Sequence, residues 1–173
     1  YGEHEVVVEH DAHEKLWQDF SDEELARAFA AYAHRLRALA KKRHVEYVLL
    51  FKNHGRNAGA SIEHEHVQLV ALPFVPETVR REAQAAAAYR KRRGACVFCD
   101  VLKKERKNVL LENASFAALC PSFARFPYEI WVLPKRHRRS VTGFSALEAR
   151  QFMDLMRACV RRVYGVTQDY NFA

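Results

Sequence analysis

Apolar residues recur at three- and four-residue steps in two segments of the chain, and a serine precedes each segment. The two series are Leu25, Phe29, Tyr32, Leu36 and Leu39, and Phe152, Leu155, Met156, Cys159 and Val163. This spacing lines up apolar side chains along one side of an α-helix. Ser21 precedes Glu24 by three residues, and Ser145 precedes Glu148 by three. Such a capping box satisfies free backbone N–H groups at a helix start, so the pattern predicts two amphipathic helices with matching starts.

Short runs of β-branched and aromatic residues predict strands. These runs cover residues 5–8, 47–51, 66–72, 109–112, 116–119 and 129–132, and residues 169–173 look like the start of another strand. Between Pro76 and about Arg93 the chain is rich in alanine and arginine, which predicts a helical connector.

The chain also repeats itself at a fixed distance. Glu5, His13 and Ser21 are matched 124 residues later by Glu129, His137 and Ser145. Each copy reads as a strand, a loop with a histidine, and a capped helix. Shared ancestry of the two copies is the simplest explanation.

The two copies are complementary in what they contain. The first continues into a glycine-containing loop and a histidine-rich strand, and the second is preceded by a Cys-x-x-Cys pair. We therefore expect a first lobe lacking its start at residues 1–75, a connector at 76–94, and a second lobe lacking its end at 95–173. The first residue is not methionine, which fits a chain cut from a longer one.

Composition and charge narrow the class of protein. Hydrophobic residues make up 49% of the chain and charged residues 28%, which is typical of a globular protein. There is no apolar run of about 18 residues, so we expect no transmembrane helix, and no signal peptide is visible. The formal charge of +7 favours anionic partners, and phosphorylated small molecules suit it as well as RNA does.

Candidate chemistry is concentrated at residues 64–68. Side chains alternate along a strand, so His64, His66 and Gln68 are predicted to share one side. A neutral imidazole is a good nucleophile toward phosphorus, and a carboxamide can donate hydrogen bonds to phosphoryl oxygens. Upstream, the glycine loop at residues 53–61 lets backbone N–H groups approach a phosphate closely, and Asn53 and Ser61 add neutral donors.

This segment resembles the active-site segment of the galactose-1-phosphate uridylyltransferases, a branch of the histidine-triad superfamily. The matching stretch is FKNHGRNAGASIEHEHVQLVALP. The resemblance implies an α+β fold of two histidine-triad-like lobes, each an antiparallel sheet with a packed helix. It also implies that His66 is the nucleophile, that His64 is a zinc ligand, and that Asn53, Ser61 and Gln68 bind phosphate. Glu65 departs from the family, which usually has proline there.

Zinc sites commonly use four cysteine and histidine ligands. The second copy offers Cys96, Cys99 and His137, and the first offers His13 and His64. The resemblance implies the same sets, so we expect one structural zinc per lobe in the intact protein. A redox pair or incidental cysteines would be the alternative reading of Cys-x-x-Cys. The other two cysteines, Cys120 and Cys159, are predicted to be buried packing thiols.

The function implied by the resemblance is transfer of a nucleotide from a UDP-sugar to a hexose 1-phosphate in galactose metabolism, through a nucleotidyl-histidine. Gln68 stands where the hydrolase branch has a third histidine, which favours transfer over hydrolysis. One alternative is a nucleotide-sugar or dinucleoside-tetraphosphate phosphorylase or adenylyltransferase of the same superfamily. Another is a basic zinc-containing module that binds RNA without catalysis. We expect a cytoplasmic enzyme without a membrane or nucleic-acid partner. A homodimer is one possible assembly.

Overall fold

The computed structural model describes all 173 residues. The helices are α1 (Asp22–Ala40), α2 (Glu77–Arg93), α3 (Val97–Lys104) and α4 (Ala146–Tyr164). The strands are β1 (Glu3–Val8), β2 (Tyr47–His54), β3 (His66–Leu72), β4 (Val109–Glu112), β5 (Phe116–Leu119), β6 (Trp131–Pro134) and β7 (Tyr170–Phe172). They form a four-stranded sheet in the order β1-β3-β2-β7 and a three-stranded sheet in the order β4-β5-β6. All pairings are antiparallel, which confirms the predicted α+β class.

The internal repeat is visible in local structure. Helices α1 and α4 both have 19 residues, and their first residues lie 124 positions apart. Ser21 and Ser145 each accept a hydrogen bond from the N–H three residues on, and both capping boxes are complete. A short 3₁₀ turn precedes each helix, at Trp17–Asp19 and Val141–Gly143. The sequence repeat therefore corresponds to a repeated structural unit.

The main hydrophobic core joins the two helices of the repeat. Helix α1 contacts β2 and β3, and it also contacts α4. The core cluster contains Trp17, Leu25 and Phe29 from the first copy, and Met153 and Val160 from the second. The division into lobes at residues 75 and 95 stays a prediction, and side chains from both sides of it share this core. Helix α2, the predicted connector, has no buried residue.

Strand β7 follows α4 in the chain but joins the sheet of the first copy. It pairs with β2 so that Asn171 lies opposite Asn53 and Tyr170 opposite His54. The Tyr170 side chain is buried, and its ring stacks on His54 with 4.8 Å between centroids. The end of the second copy thereby covers the end of β2, next to the glycine loop.

A cavity of about 950 Å³ lies among α1, β2, α4 and residues 125–132, and its lining is mostly hydrophobic. His66 and Gln68 do not line it, so the candidate chemistry lies elsewhere. No helix combines the length and the apolar character needed to cross a membrane.

One expectation about the cysteines needs correction, and one helix was missed. Cys159 is buried as predicted, but Cys120 is exposed, because it follows the end of β5 and its neighbour Pro121 begins a turn. Helix α3, which begins within the Cys-x-x-Cys pair, was not predicted. It has only eight residues, too few to show a helical period.

Candidate functional site

His66 is the first residue of β3, and the alternation predicted for this strand is present. Val67, Leu69 and Ala71 are fully buried in the core. His66 and Gln68 point to the opposite side of the sheet, since successive side chains of a strand alternate. His64 lies before the strand begins, so it does not share this alternation, and its ring contacts His13 instead.

The His66 ring is held in one orientation by the main chain. Its Nδ1 lies 2.7 Å from the carbonyl oxygen of His64. A carbonyl oxygen only accepts hydrogen bonds, so Nδ1 carries the proton and the neutral ring has its lone pair on Nε2. Nε2 makes no hydrogen bond within the chain. His66 is thus held in the tautomer that a nucleophile attacking through Nε2 requires.

Gln68 has a partner that was not anticipated from sequence. His4 on β1 lies opposite Val70, two residues along from the Val6–Gln68 pair, and its Nε2 is 3.0 Å from Gln68 Oε1. When His4 donates this bond, the Gln68 N–H groups stay free to donate toward a substrate. The alternation of β1 places His4 on the face of Gln68.

A buried ionic cluster lies on the other side of β3, beneath His66. Lys52 forms ion pairs with Glu9 and Glu65 and donates to the carbonyl oxygen of His66 at 3.1 Å. Glu65 also accepts from Trp17 N–H at 3.2 Å and lies 2.9 Å from His54 Nδ1. The acid that replaces the family's usual proline therefore points away from the candidate nucleophile. The sequence does not predict this cluster.

The two carboxylates of this cluster differ in pKa. Burial raises the pKa of Glu9 to about 7, against the opposing charge of Lys52. Burial also acts to raise the pKa of Glu65, but hydrogen bonding from His54 and the charge of Lys52 outweigh it and lower the pKa. One ammonium group cannot neutralise two carboxylates. Glu9 has fewer donors, and its Oε1 has no partner, so Glu9 is the carboxylate of the pair that takes up a proton more readily.

The glycine loop runs from the end of β2 to residue 61. Gly55 and Gly59 have positive φ angles of 85° and 86°, which only glycine adopts without strain. Asn53 Nδ2 lies 3.5 Å from the carbonyl oxygen of Gly59. Ser61 is exposed, and its hydroxyl has no hydrogen bond within the chain. Near the end of β2 the loop therefore presents the unpaired Ser61 hydroxyl and an Asn53 amide whose NH₂ group makes one long hydrogen bond.

His13 and His64 lie together at the surface. Their Nδ1 atoms are 3.1 Å apart, and His64 Nε2 lies 2.5 Å from the carbonyl oxygen of His10. That hydrogen bond leaves His64 Nδ1 as a lone-pair donor facing His13. Two ligand nitrogens about 2.0 Å from one zinc ion in a tetrahedron lie roughly 3.3 Å apart, so the pair fits a shared metal ion.

A second group combines Cys96, Cys99 and His137. Their ligand atoms all lie within 4.8 Å of one another, and Cys99 Sγ is 3.5 Å from His137 Nδ1. Thiolate and imidazole ligands of one zinc ion are separated by roughly 3.5 Å. This group could hold a metal ion. This group and the pair of His13 and His64 lie at equivalent positions of the repeat, since His13 and His137 are 124 residues apart.

Comparison with known proteins gives several matches along the chain. A family model described as the N-terminal domain of a domain of unknown function, DUF4931, matches residues 2–75. The chain is 30% identical to an ADP-glucose phosphorylase of Arabidopsis thaliana, over 99% of this chain and 49% of that protein. It is 31% identical to a galactose-1-phosphate uridylyltransferase of Thermotoga maritima, over 88% of this chain and 48% of that protein.

A solved structure of an Arabidopsis ADP-glucose phosphorylase with bound ADP-glucose superposes with a TM-score of 0.93 and 29% identity. The superposition covers 99% of this chain and 56% of that one. The chain thus spans about half the length of the curated relatives it matches. The shared fold and the sequence identity along both copies of the repeat lead to one conclusion: the chain belongs to the galactose-1-phosphate uridylyltransferase family.

Proposed function

We propose that this chain carries out nucleotidyl transfer through a covalent nucleotidyl-histidine at His66. The observation that supports it most directly is the hydrogen bond of 2.7 Å from His66 Nδ1 to the carbonyl oxygen of His64. It fixes the ring and leaves the Nε2 lone pair for attack. The same bond stabilises the positive charge that the ring acquires when Nε2 is substituted.

In the first half-reaction, Nε2 of His66 attacks the α-phosphorus of a nucleoside diphosphate sugar. A P–N bond forms, the bond from that phosphorus to the bridging oxygen breaks, and sugar 1-phosphate leaves. In the second half-reaction an acceptor phosphate oxygen attacks the same phosphorus and the P–N bond breaks. Gln68, Asn53 and Ser61 supply neutral donors to the phosphoryl oxygens, whose charge is stabilised as it develops.

For the substrates, we propose a UDP-sugar as donor and a hexose 1-phosphate, such as galactose 1-phosphate, as acceptor. This follows the uridylyltransferases among the relatives. A second candidate is phosphorolysis of ADP-glucose, with inorganic phosphate as acceptor, which follows the ADP-glucose phosphorylase. Both candidates share the first half-reaction and differ in base and acceptor.

We further propose that zinc is bound at both cysteine and histidine groups and serves structure. Bound zinc would supply a rigid cross-link between its ligands. His64 is two residues from His66, so a metal held by His13 and His64 would fix the main chain whose carbonyl oxygen orients the nucleophile. Cys96, Cys99 and His137 would fix the start of α3 to the loop after β6.

The proposal is tested by mixing the chain with UDP-glucose or ADP-glucose labelled at the α-phosphorus and quenching in alkali. We expect acid-labile, alkali-stable label on the protein, its loss in His66→Asn, and its retention in His44→Asn, a matched change at an exposed histidine. A chase with galactose 1-phosphate or with inorganic phosphate then identifies the acceptor. Label from neither nucleotide sugar would refute the proposal, and label in His66→Asn would refute the assigned nucleophile.

A further inference from the structure

The glycine loop is held by side chains from the far end of the chain. Asn171, on β7, donates to two groups: Asn53 Oδ1 at 2.7 Å and the carbonyl oxygen of Ala58 at 2.8 Å. Asp169 accepts from the backbone N–H of Asn57 at 2.9 Å and from its side-chain amide at 2.8 Å. These contacts join the second copy of the repeat to the loop of the first.

The hydrogen bonds of Asn171 determine which way two amide groups face. Ala58 O is only an acceptor, so the NH₂ group of Asn171 must be the one that points to it. The second N–H of the same group then points to Asn53, and Asn53 must present its oxygen in return. The Asn53 NH₂ group is therefore directed away from β7, toward the loop, where only the carbonyl oxygen of Gly59 at 3.5 Å is near it.

Asp169 holds the loop itself. Hydrogen bonds from the side chain and backbone of Asn57 lower the pKa of Asp169, so the carboxylate is a charged acceptor. A Cβ atom on Gly55 would lie 2.2 Å from Asp169 Oδ1 and 3.0 Å from Asp169 Cα. The loop and the residues before β7 are thus packed closely enough for the loop conformation to depend on Asp169.

We propose that Asn171 is a positioning residue that orients the Asn53 amide to donate to a nucleotide phosphate, with Asp169 holding the loop in place. This inference rests on the proposed nucleotidyl transfer at His66. Asn171 itself donates both its N–H groups within the protein, so it acts through Asn53. Without this partner the Asn53 amide could also take the flipped orientation, in which its oxygen rather than its NH₂ group faces the phosphate.

The first test is the affinity for ADP-glucose and UDP-glucose, measured by calorimetry on chains that also carry His66→Asn to prevent turnover. Asn171 is exposed, so Asn171→Ala should fold. We expect its dissociation constant to rise about tenfold, the usual effect of losing a hydrogen bond to a charged group. Asn108→Ala, which removes an amide donor to Glu105 away from the loop, should leave the dissociation constant unchanged.

The second test separates positioning from a merely structural role. In the Asn53→Ala background, Asn171→Ala should weaken binding no further, because its effect passes through Asn53. At saturating nucleotide sugar, the rate of His66 labelling in Asn171→Ala should fall toward the rate of Asn53→Ala and no lower, since both changes remove the same donor to the phosphoryl oxygens.

The outcomes distinguish this inference from the proposed function. If the parent chain binds neither nucleotide sugar, the proposed function and this inference both fail. If the parent binds one but Asn171→Ala binds it equally well, only this inference fails. An equal loss with and without Asn53 also overturns it, since Asn171 would then act by another route.

Discussion

Lys52 and Glu65 form an ion pair that is closed off from solvent, with 1% of Lys52 and 3% of Glu65 exposed. The pair lies directly beneath the candidate nucleophile, because Lys52 also donates to the main-chain carbonyl of His66. A buried pair of this kind contributes little net stability while intact, yet removing one partner leaves an uncompensated charge in the interior. The cluster therefore makes distinct predictions for its members.

Replacing Lys52 with methionine should strongly destabilise the protein, because the Glu9 and Glu65 carboxyl groups would lose their shared partner. We expect the free energy of unfolding in urea to fall by about 3–5 kcal/mol. The matched control is Lys42→Met, which removes a half-exposed ion pair with Glu3 and should change the free energy of unfolding far less, since water screens the pair. Similar losses for the two variants would show that the Lys52 cluster is not sealed from water.

Glu9 should make stability depend on pH between about 4.5 and 7. Its pKa rises from 4.5 to about 7 on folding, so the folded state binds the proton more tightly. The stability from this group is complete below pH 4.5 and is lost as pH rises through 7. We expect the parent to lose up to about 3 kcal/mol relative to Glu9→Gln across this range. Parallel pH profiles of unfolding for the two proteins would contradict the assignment.

Gly55 and Gly94 offer a matched test of packing against the glycine loop. Both have positive φ, but a Cβ atom on Gly94 meets nothing within 4 Å, whereas one on Gly55 meets Asp169. Gly94→Ala should cost about 1 kcal/mol of unfolding free energy through backbone strain. Gly55→Ala should cost about 1–3 kcal/mol more because of the overlap. Equal costs in chemical denaturation would mean that Asp169 does not pack against the loop.

Cys99 and Cys120 offer a test of the metal group. Cys99→Ser should lower the zinc content of the purified chain, because a serine hydroxyl is a poor replacement for a thiolate ligand. Cys120 belongs to no metal group and is exposed, so Cys120→Ser should keep the metal content of the parent. Elemental analysis by mass spectrometry measures both, and unchanged zinc in Cys99→Ser would remove that residue from the ligand set.

The parts of the fold that depend on local sequence were predictable. The capping boxes at Ser21 and Ser145 and the helical spacing behind them placed the starts of α1 and α4, since caps act within one turn. Alternation along β3 placed Val67, Leu69 and Ala71 on the core side and His66 and Gln68 on the other side, and the predicted strand 66–72 coincides with β3. The Cys96, Cys99 and His137 group was also anticipated, because the repeat aligned His137 with His13.

Features that depend on strand register and long-range pairing were not predictable. The stacking of His54 on Tyr170 depends on the pairing of β2 with β7, which places the two residues opposite each other. Predicting the ionic cluster would have required knowing that Glu9, Lys52 and Glu65, which lie in different segments of the chain, come into contact in the fold. No local sequence pattern predicts such contacts. Alternation shows only which side of its own strand a residue occupies, and the pairing of strands decides which side chains face one another.

The hold of β7 on the glycine loop has a consequence for the order of events during synthesis. The loop leaves the ribosome more than 100 residues before Asp169 and Asn171, whose contacts with it span 112 to 118 positions. Contacts of such long sequence separation form late, because closing the intervening chain costs entropy first. A nascent chain that already contains His66 therefore lacks an oriented Asn53. High affinity for the nucleotide should appear only late in folding, after both copies of the repeat have packed together.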